Sequence, residues 1–206
     1  MSQRLEIHPT HPQPRMLRMV ADLVHRGAVV VYPTDTAYAL ACQIGDKAAL
    51  ERIVRIRSLH KNHQFTLACR DLSELGTYAV LDNIAYRLLK GATPGPYTWV
   101  MKATRETPRR LLHAKRRTIG IRVPDHVVSQ GLLDAVGEPL LTTTARLPDE
   151  EEPLLDGQTI YDRIGHLVDV ILDDGHVSEG RSTVVDLSDH NPRILRQGVG
   201  VLPQLG

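Results

Sequence analysis

Three oxygen-bearing side chains, Thr34, Asp35 and Thr36, follow Pro33 directly after an apolar run, Val29-Val30-Val31-Tyr32. Hydroxyls and a carboxylate at the end of a buried strand can hold a polar ligand's amine or hydroxyl, and ligands of open α/β sheets gather at such ends. A Pro-initiated turn whose Asp and Thr bond their own backbone accounts for the same residues. Arg55 and Arg57, in ERIVRIRSLHKNHQFTL, are the next candidates. Their planar guanidinium groups suit phosphate oxygens, two at a time. Cations near a helix C-terminus also complement the macrodipole. Arg122 interrupts an apolar stretch, Ile119-Gly120-Ile121 before it and Val123-Pro124 after it, so it needs a partner or a polar cavity. In LLTTTARLP, Thr142 and Thr144 share one face of a strand, although threonine is also simply a good strand former. Ser182, Thr183, Arg193 and Arg196 close the chain in RSTVVDL and RILRQG.

The densest basic segment is PRRLLHAKRRTIGIRVP. Arg109, Arg110, Lys115, Arg116 and Arg117 fall within nine residues of a chain whose net charge is only +1. Segregated charge of this kind is a candidate nucleic-acid or polyphosphate footprint, with Asp149-Glu150-Glu151-Glu152 as its acidic counterpart. A solvated face is the alternative. Aromatic residues make up only 4% of the chain, which leaves little to stack on unpaired bases and favours duplex over single-stranded RNA.

Several chemistries are excluded. No G-x-x-x-x-G-K-[ST], G-x-G-x-x-G or G-x-S-x-G occurs, so a bound nucleotide needs another architecture than the P-loop or the dinucleotide fold. The ten histidines form neither H-x-x-x-H nor H-E-x-x-H, so no metal site made of protein ligands is expected. Two cysteines without a C-x-x-C exclude a disulfide scaffold and fit a reducing compartment. No apolar run approaches the roughly 18–20 residues of a membrane span, and no signal peptide is visible, so a cytoplasmic protein is expected.

The elements that must position these residues alternate in type. Met16, Met19, Val20, Leu23 and Val24 repeat at helical spacing and stop at Gly27. Strands are expected at 28–32, 38–44, 65–69, 97–102, 118–123, 139–144, 169–172, 182–187 and 193–196. Asp46, Asp71 with Glu74, Asp82 and Asp125 stand where helix N-caps are expected, and a short helix fits 160–167. Interleaved strands and helices over 206 residues, 42% hydrophobic and 24% charged, argue one α/β domain.

Taken in order, VVYPTDTAYALAC, RIRSLHKNHQFTL, TPGPYTWVMKAT, RRTIGIRVPDH, PLLTTTA, and STVVDL followed by ILRQG resemble the YrdC/YciO family, and its YciO branch in particular, over most of residues 14–200. The resemblance implies a single domain across 1–206, a twisted mixed sheet with flanking helices around a large, positively lined concave cavity. It implies a threonylcarbamoyl-AMP synthase-like activity joining L-threonine, bicarbonate and ATP, with Mg²⁺, and releasing pyrophosphate. The product of such enzymes feeds threonylcarbamoyladenosine modification of tRNA. Double-stranded RNA binding without catalysis, and nucleotide binding as a regulator, are the alternatives. By position, Thr34, Asp35, Thr36 and Tyr38 would line the threonine end, with Arg122 as the family's strand arginine. Arg55 and Arg57 fall on the family's K-x-R, and Thr144-Ala145-Arg146 on its S-x-N. Ser182 and Arg196 match the S-T-V serine and the terminal L-R-x-G arginine. Arg55, Arg57, Thr144, Arg146, Ser182 and Arg196 would then face the nucleotide, with Arg55, Arg57 and Arg196 neutralising charge on phosphate. Arg55 replaces a lysine and Arg146 an asparagine, and SLHKNHQF replaces a Pro-rich continuation. Neither arginine is a conservative exchange at a phosphate site.

Overall fold

A computed structural model describes the chain except residues 1, 61–62, 114, 149, 176, 178–179, 190 and 204–206. Lys61, Asn62 and Asp149 therefore lie outside the described residues. The helices form where the caps were expected. Helix α1 (Pro14–His25) has proline in its first turn and runs to Gly27, whose φ of 87° suits a glycine. Helices α2 (Lys47–Ile56), α3 (Leu72–Tyr78) and α4 (Asn83–Ala92) are capped by Asp46, Asp71 and Asp82, which accept from Ala49 N at 3.0 Å, Glu74 N at 2.8 Å and Ala85 N at 2.8 Å. Helix α5 (Val127–Val136) departs from expectation. Its N-cap is His126, with no capping side-chain bond, rather than Asp125. Helix α6 (Gly157–Ile164) starts three residues before the expected segment and is capped by Asp156.

Ten strands build one mixed sheet. In chain order they are β1 (Gln3–Glu6), β2 (Val30–Tyr32), β3 (Ala39–Gln43), β4 (Thr66–Ala68), β5 (Tyr97–Lys102), β6 (Thr118–Arg122), β7 (Leu140–Thr144), β8 (Val170–Asp173), β9 (Thr183–Asp186) and β10 (Arg193–Arg196). Across the sheet the order is β1-β8-β2-β3-β7-β4-β6-β5-β9-β10. Strand β1 was not foreseen, because its four residues, Gln-Arg-Leu-Glu, carry no apolar alternation. It exists through parallel pairing with β8, from Gln3 beside Val170 to Glu6 beside Asp173.

Both faces are covered, but unequally. Side chains alternate along each strand. Val29, Val31, Leu40, Leu67, Trp99, Ile119, Ile121, Leu141 and Val185 enter one core layer with the apolar faces of α2, α3, α4 and α6. Val30, Tyr32, Ala41, Ala68, Leu140 and Val170 enter the other, under α1 and α5. That second layer contains no residue of β5, β6, β9 or β10. On this face the sheet continues past the two helices with Thr66, Thr98, Gly120, Thr142 and Val184. These residues line a cleft instead of a core.

Candidate functional site

The cleft has a volume of about 240 Å³. Its floor is small by composition. A Cβ at Gly120 would stand 2.9 Å from Thr66 Oγ1, so glycine keeps this part of the floor open. A second pocket of about 190 Å³ adjoins it, lined by Arg57, Arg146, Pro153, Gly180 and Arg181. The two share Thr36, His63, Thr143, Thr144, Ser182 and Arg196. No carboxylate is among the described lining residues of either.

The turn after β2 is first a self-bonded structure. Thr34 Oγ1 donates to the Ala37 carbonyl at 2.6 Å and accepts from the amides of Thr36 and Ala37 at 3.2 and 3.3 Å. The Pro33 carbonyl accepts from Ser129 Oγ of α5 at 2.5 Å. Held so, the turn places Asp35 against Arg122 from β6. The two form an ion pair, each side chain only 9% exposed. Arg122 NH1 also donates to Thr36 Oγ1 at 3.4 Å. The strand arginine thus has its partner, and the polar turn exists partly to supply it. The pair is incompletely satisfied, since Asp35 Oδ2 and Arg122 Nε are buried without an acceptor or donor. Unpaired atoms of this kind are costly when buried.

Tyr38 is among the residues that line the cleft, as expected, but its hydroxyl is engaged elsewhere. It lies within hydrogen-bonding distance of Asp173 Oδ1 (3.1 Å), Asp174 Oδ1 (3.0 Å) and the Gly175 carbonyl (2.7 Å), at the end of β8. Burial and then these carboxylates raise its pKa far above the usual tyrosine range. Asp173 is in turn bound by Arg4 of β1 at 2.6–2.7 Å. Tyr38 is a brace between the turn and the far edge of the sheet.

Arg55 and Arg57 separate as well. Two positions differ by about 200° around a helix, so both cannot face one ligand. Arg55 lies in the last turn of α2, exposed and outside the lining of both pockets, which corrects the expectation that the two grip together. Arg57, the C-cap residue, is 6% exposed and enters the second pocket. Its NH1 donates to the Arg146 carbonyl and its Nε is buried without an acceptor. Burial, then the charge of Arg146, lowers its pKa to about 10. Arg196, on β10, is held by Ser182. Its Nε and NH2 donate to the Ser182 carbonyl at 3.3 and 2.9 Å, and NH2 to Oγ at 3.2 Å. Ser182 Oγ lies 2.8 Å from Thr98 Oγ1. Burial and the neighbouring Arg181 and Arg146 lower Arg196. Thr144 lines both pockets at the end of β7.

Sequence reasoning missed His63, Thr66, Thr98 and Arg181. His63 Nε2 is 3.4 Å from Thr143 Oγ1, and its ring meets Phe65 edge-on at 5.1 Å. Burial, then Arg57 and Arg146, lower its pKa. No periodic signal marks it. Thr66 and Thr98 could have been found by taking the threonines that alternate with core residues on neighbouring strands. Both cysteines are free and buried, and burial pushes Cys42 up to about 12, so neither is a nucleophile.

The cluster Arg109, Arg110, Lys115, Arg116 and Arg117 lies elsewhere. All five are exposed in the connection from β5 to β6. Arg122 is at the opposite end of β6, roughly 13 Å along the strand. Arg116 pairs with Asp186 at 3.5 Å, an acidic partner outside the expected stretch. Of that stretch, Glu150 pairs with Arg163 at 2.5 Å and Glu152 with Arg181 at 3.2 Å. Mg²⁺ finds no fitting protein donors at the pockets, which present guanidinium groups and hydroxyls. Among the described residues, no group of three or more His, Cys, Asp or Glu could hold a metal ion. No helix among them is long and apolar enough to cross a membrane.

Known proteins of similar sequence and fold agree with this architecture. The family model Sua5_yciO_yrdC, described as "Telomere recombination", matches residues 22–198. A protein of Escherichia coli (strain K12), called "Uncharacterized protein YciO", is 51% identical over 200 residues, 97% of each chain. The crystal structure of E. coli YciO superposes with a TM-score of 0.95, at 50% identity and 98% coverage of both chains. A threonylcarbamoyl-AMP synthase of Vibrio vulnificus (strain YJ016) is 31% identical over 185 residues, 88% of this chain and 98% of that one. P. abyssi Sua5, crystallised with L-threonine, shares the fold with a TM-score of 0.89 at 22% identity, over 96% of this chain and 58% of that one.

Proposed function

Because the chain belongs to the Sua5/YciO/YrdC family, we propose that it is a nucleotide-binding, threonylcarbamoyl-AMP synthase-like enzyme. The reaction would join L-threonine, bicarbonate and ATP and release pyrophosphate. One observation carries this reading: two pockets of complementary chemistry share one wall. In the first, the Arg122 guanidinium suits a carboxylate, and the hydroxyls of Thr36, Thr66 and Thr98 suit an ammonium or hydroxyl. That is the polarity of an amino acid. In the second, Arg57, Arg146 and Arg196 suit a polyphosphate. The synthase name of the Vibrio relative and the threonine in the P. abyssi structure support the same substrates.

The chemistry asks for alignment more than for acid–base catalysis. Threonine's amine condenses with bicarbonate, losing water, to give a carbamate. A carbamate oxygen then attacks the α-phosphorus, and the bond to the β,γ-diphosphate breaks, leaving pyrophosphate. The protein holds two anions in line and neutralises charge that develops on the phosphates. Arg122 orients the amino acid across the shared wall, Thr36 and Thr144 border both halves, and Arg57 and Arg196 face the leaving group. Pyrophosphate release from ATP and bicarbonate, measured with and without L-threonine, tests this. Threonine-dependent release is expected. Release that ignores threonine would assign another acceptor, and no release from folded protein would refute adenylation. Duplex or transfer RNA is a further partner in this reading, bound at Arg109, Arg110, Lys115, Arg116 and Arg117 away from the pockets.

A further inference from the structure

Three arginines face the second pocket without a carboxylate partner among the described residues. Arg57 spends one donor on the Arg146 carbonyl and leaves Nε unpaired. Arg196 is fixed by the carbonyl and hydroxyl of Ser182, which neutralise none of its charge. Arg146 lines the pocket, and its guanidinium has no ion pair among the described residues. Arg181 differs, because Glu152 at 3.2 Å and the Glu151 carbonyl already engage it. Burial lowers the pKa of both Arg57 and Arg196, and the neighbouring guanidinium groups, Arg146 for the first and Arg181 and Arg146 for the second, lower them further. Three like charges gathered on one pocket without carboxylate counter-ions, with Arg57 buried, are an unfavourable state that an anion relieves.

A divalent cation has the opposite fit. Magnesium takes carboxylate and phosphate oxygens in a tight octahedral shell. Here it would meet three like charges and no carboxylate on the described lining. On a bound polyphosphate, the guanidinium groups and the ion would compete for the same oxygens. We propose that this pocket binds a polyphosphate free of divalent cation, with Arg57, Arg146 and Arg196 supplying the positive charge that a metal brings in metal-dependent sites. This rests on the nucleotide-binding reading above.

Calorimetry on the full chain tests it, with ATP and separately with inorganic tripolyphosphate, each in EDTA and in excess magnesium chloride. Both ligands should bind in EDTA at least as tightly as with magnesium. Arg146→Gln should weaken the metal-free binding roughly ten- to a hundredfold, the range for losing a charged hydrogen bond, and magnesium should then strengthen binding. If that variant does not fold, Arg196→Gln carries the same comparison. Wild type that binds ATP only with magnesium would overturn the inference and leave nucleotide binding standing. Metal-free binding of tripolyphosphate but not of ATP would keep the inference and remove the nucleotide. No binding of either ligand in either condition, by protein that unfolds cooperatively on heating, would overturn both.

Discussion

Replacing Arg57 with methionine should separate stability from binding. The substitution keeps the unbranched stem that fills the space beneath Arg146 and removes the charge. Two opposing costs can be read from the structure. The bond from Arg57 NH1 to the Arg146 carbonyl is lost, and a charged donor contributes roughly 1.5–3 kcal/mol. Against this, Arg57 is 6% exposed, lacks a carboxylate partner among the described residues and has its pKa lowered to about 10 by burial and by Arg146. A depression of that size corresponds to on the order of 3–4 kcal/mol of unfavourable charge in the empty protein. The two largely cancel, so urea denaturation should place Arg57→Met within about 2 kcal/mol of wild type. ATP binding has no such cancellation. Calorimetry should show affinity falling roughly ten- to a hundredfold, because each lost guanidinium–phosphate contact removes roughly 1.5–3 kcal/mol. A variant destabilised by more than about 3 kcal/mol would make Arg57 a structural brace. Unchanged ATP affinity would take it out of the site.

Further outcomes follow from the same geometry. Asp35→Ala should destabilise by about 3–5 kcal/mol, because it strands a buried guanidinium; adding Arg122→Met should recover part of this, and strictly additive effects in denaturant titrations would contradict the pairing. Tyr38→Phe should cost about 1–3 kcal/mol of stability by unbinding the Asp173–Gly175 turn while L-threonine affinity stays within twofold; the reverse result would assign the Tyr38 hydroxyl to the ligand. His63 is held below its ordinary value, so the folded state binds fewer protons than the unfolded one and stability should fall as pH drops below about 6.5. His63→Gln should flatten that limb of the thermal-midpoint profile, and an unchanged limb would refute the assignment. Changing Arg116 and Arg117 to alanine should lower duplex RNA affinity in filter binding and flatten its salt dependence, about −0.9 in log–log slope per phosphate contact, with ATP binding intact; wild type that binds no RNA at low salt would leave the cluster as a solvated face.

The parts legible in the sequence were those whose causes are local. Asp46, Asp71 and Asp82 cap helices because the acceptor and the amide it satisfies are three residues apart. Gly27 ends α1 because its positive φ is a property of the residue itself. The run Val29–Tyr32 announced a strand buried on both faces, and its side chains do divide between the two cores. Asp125 misled because its neighbour His126 occupies the cap position, and β1 was silent because its pairing partner, β8, lies more than 160 residues away. For the site, residue types were legible and destinations were not. Whether Arg122 was paired depended on a turn 87 residues distant, and Tyr38's hydroxyl on a strand end 135 residues distant. The half-turn of helix between Arg55 and Arg57 decided which one entered the pocket. Arg57, Arg146 and Arg196 line one pocket although they come from the end of α2, the segment after β7 and β10, and three strands separate β7 from β9 in the sheet. Local hydrogen bonding and side-chain periodicity are written in adjacent residues, whereas charge without a counter-ion is a property of a place that only the tertiary structure creates.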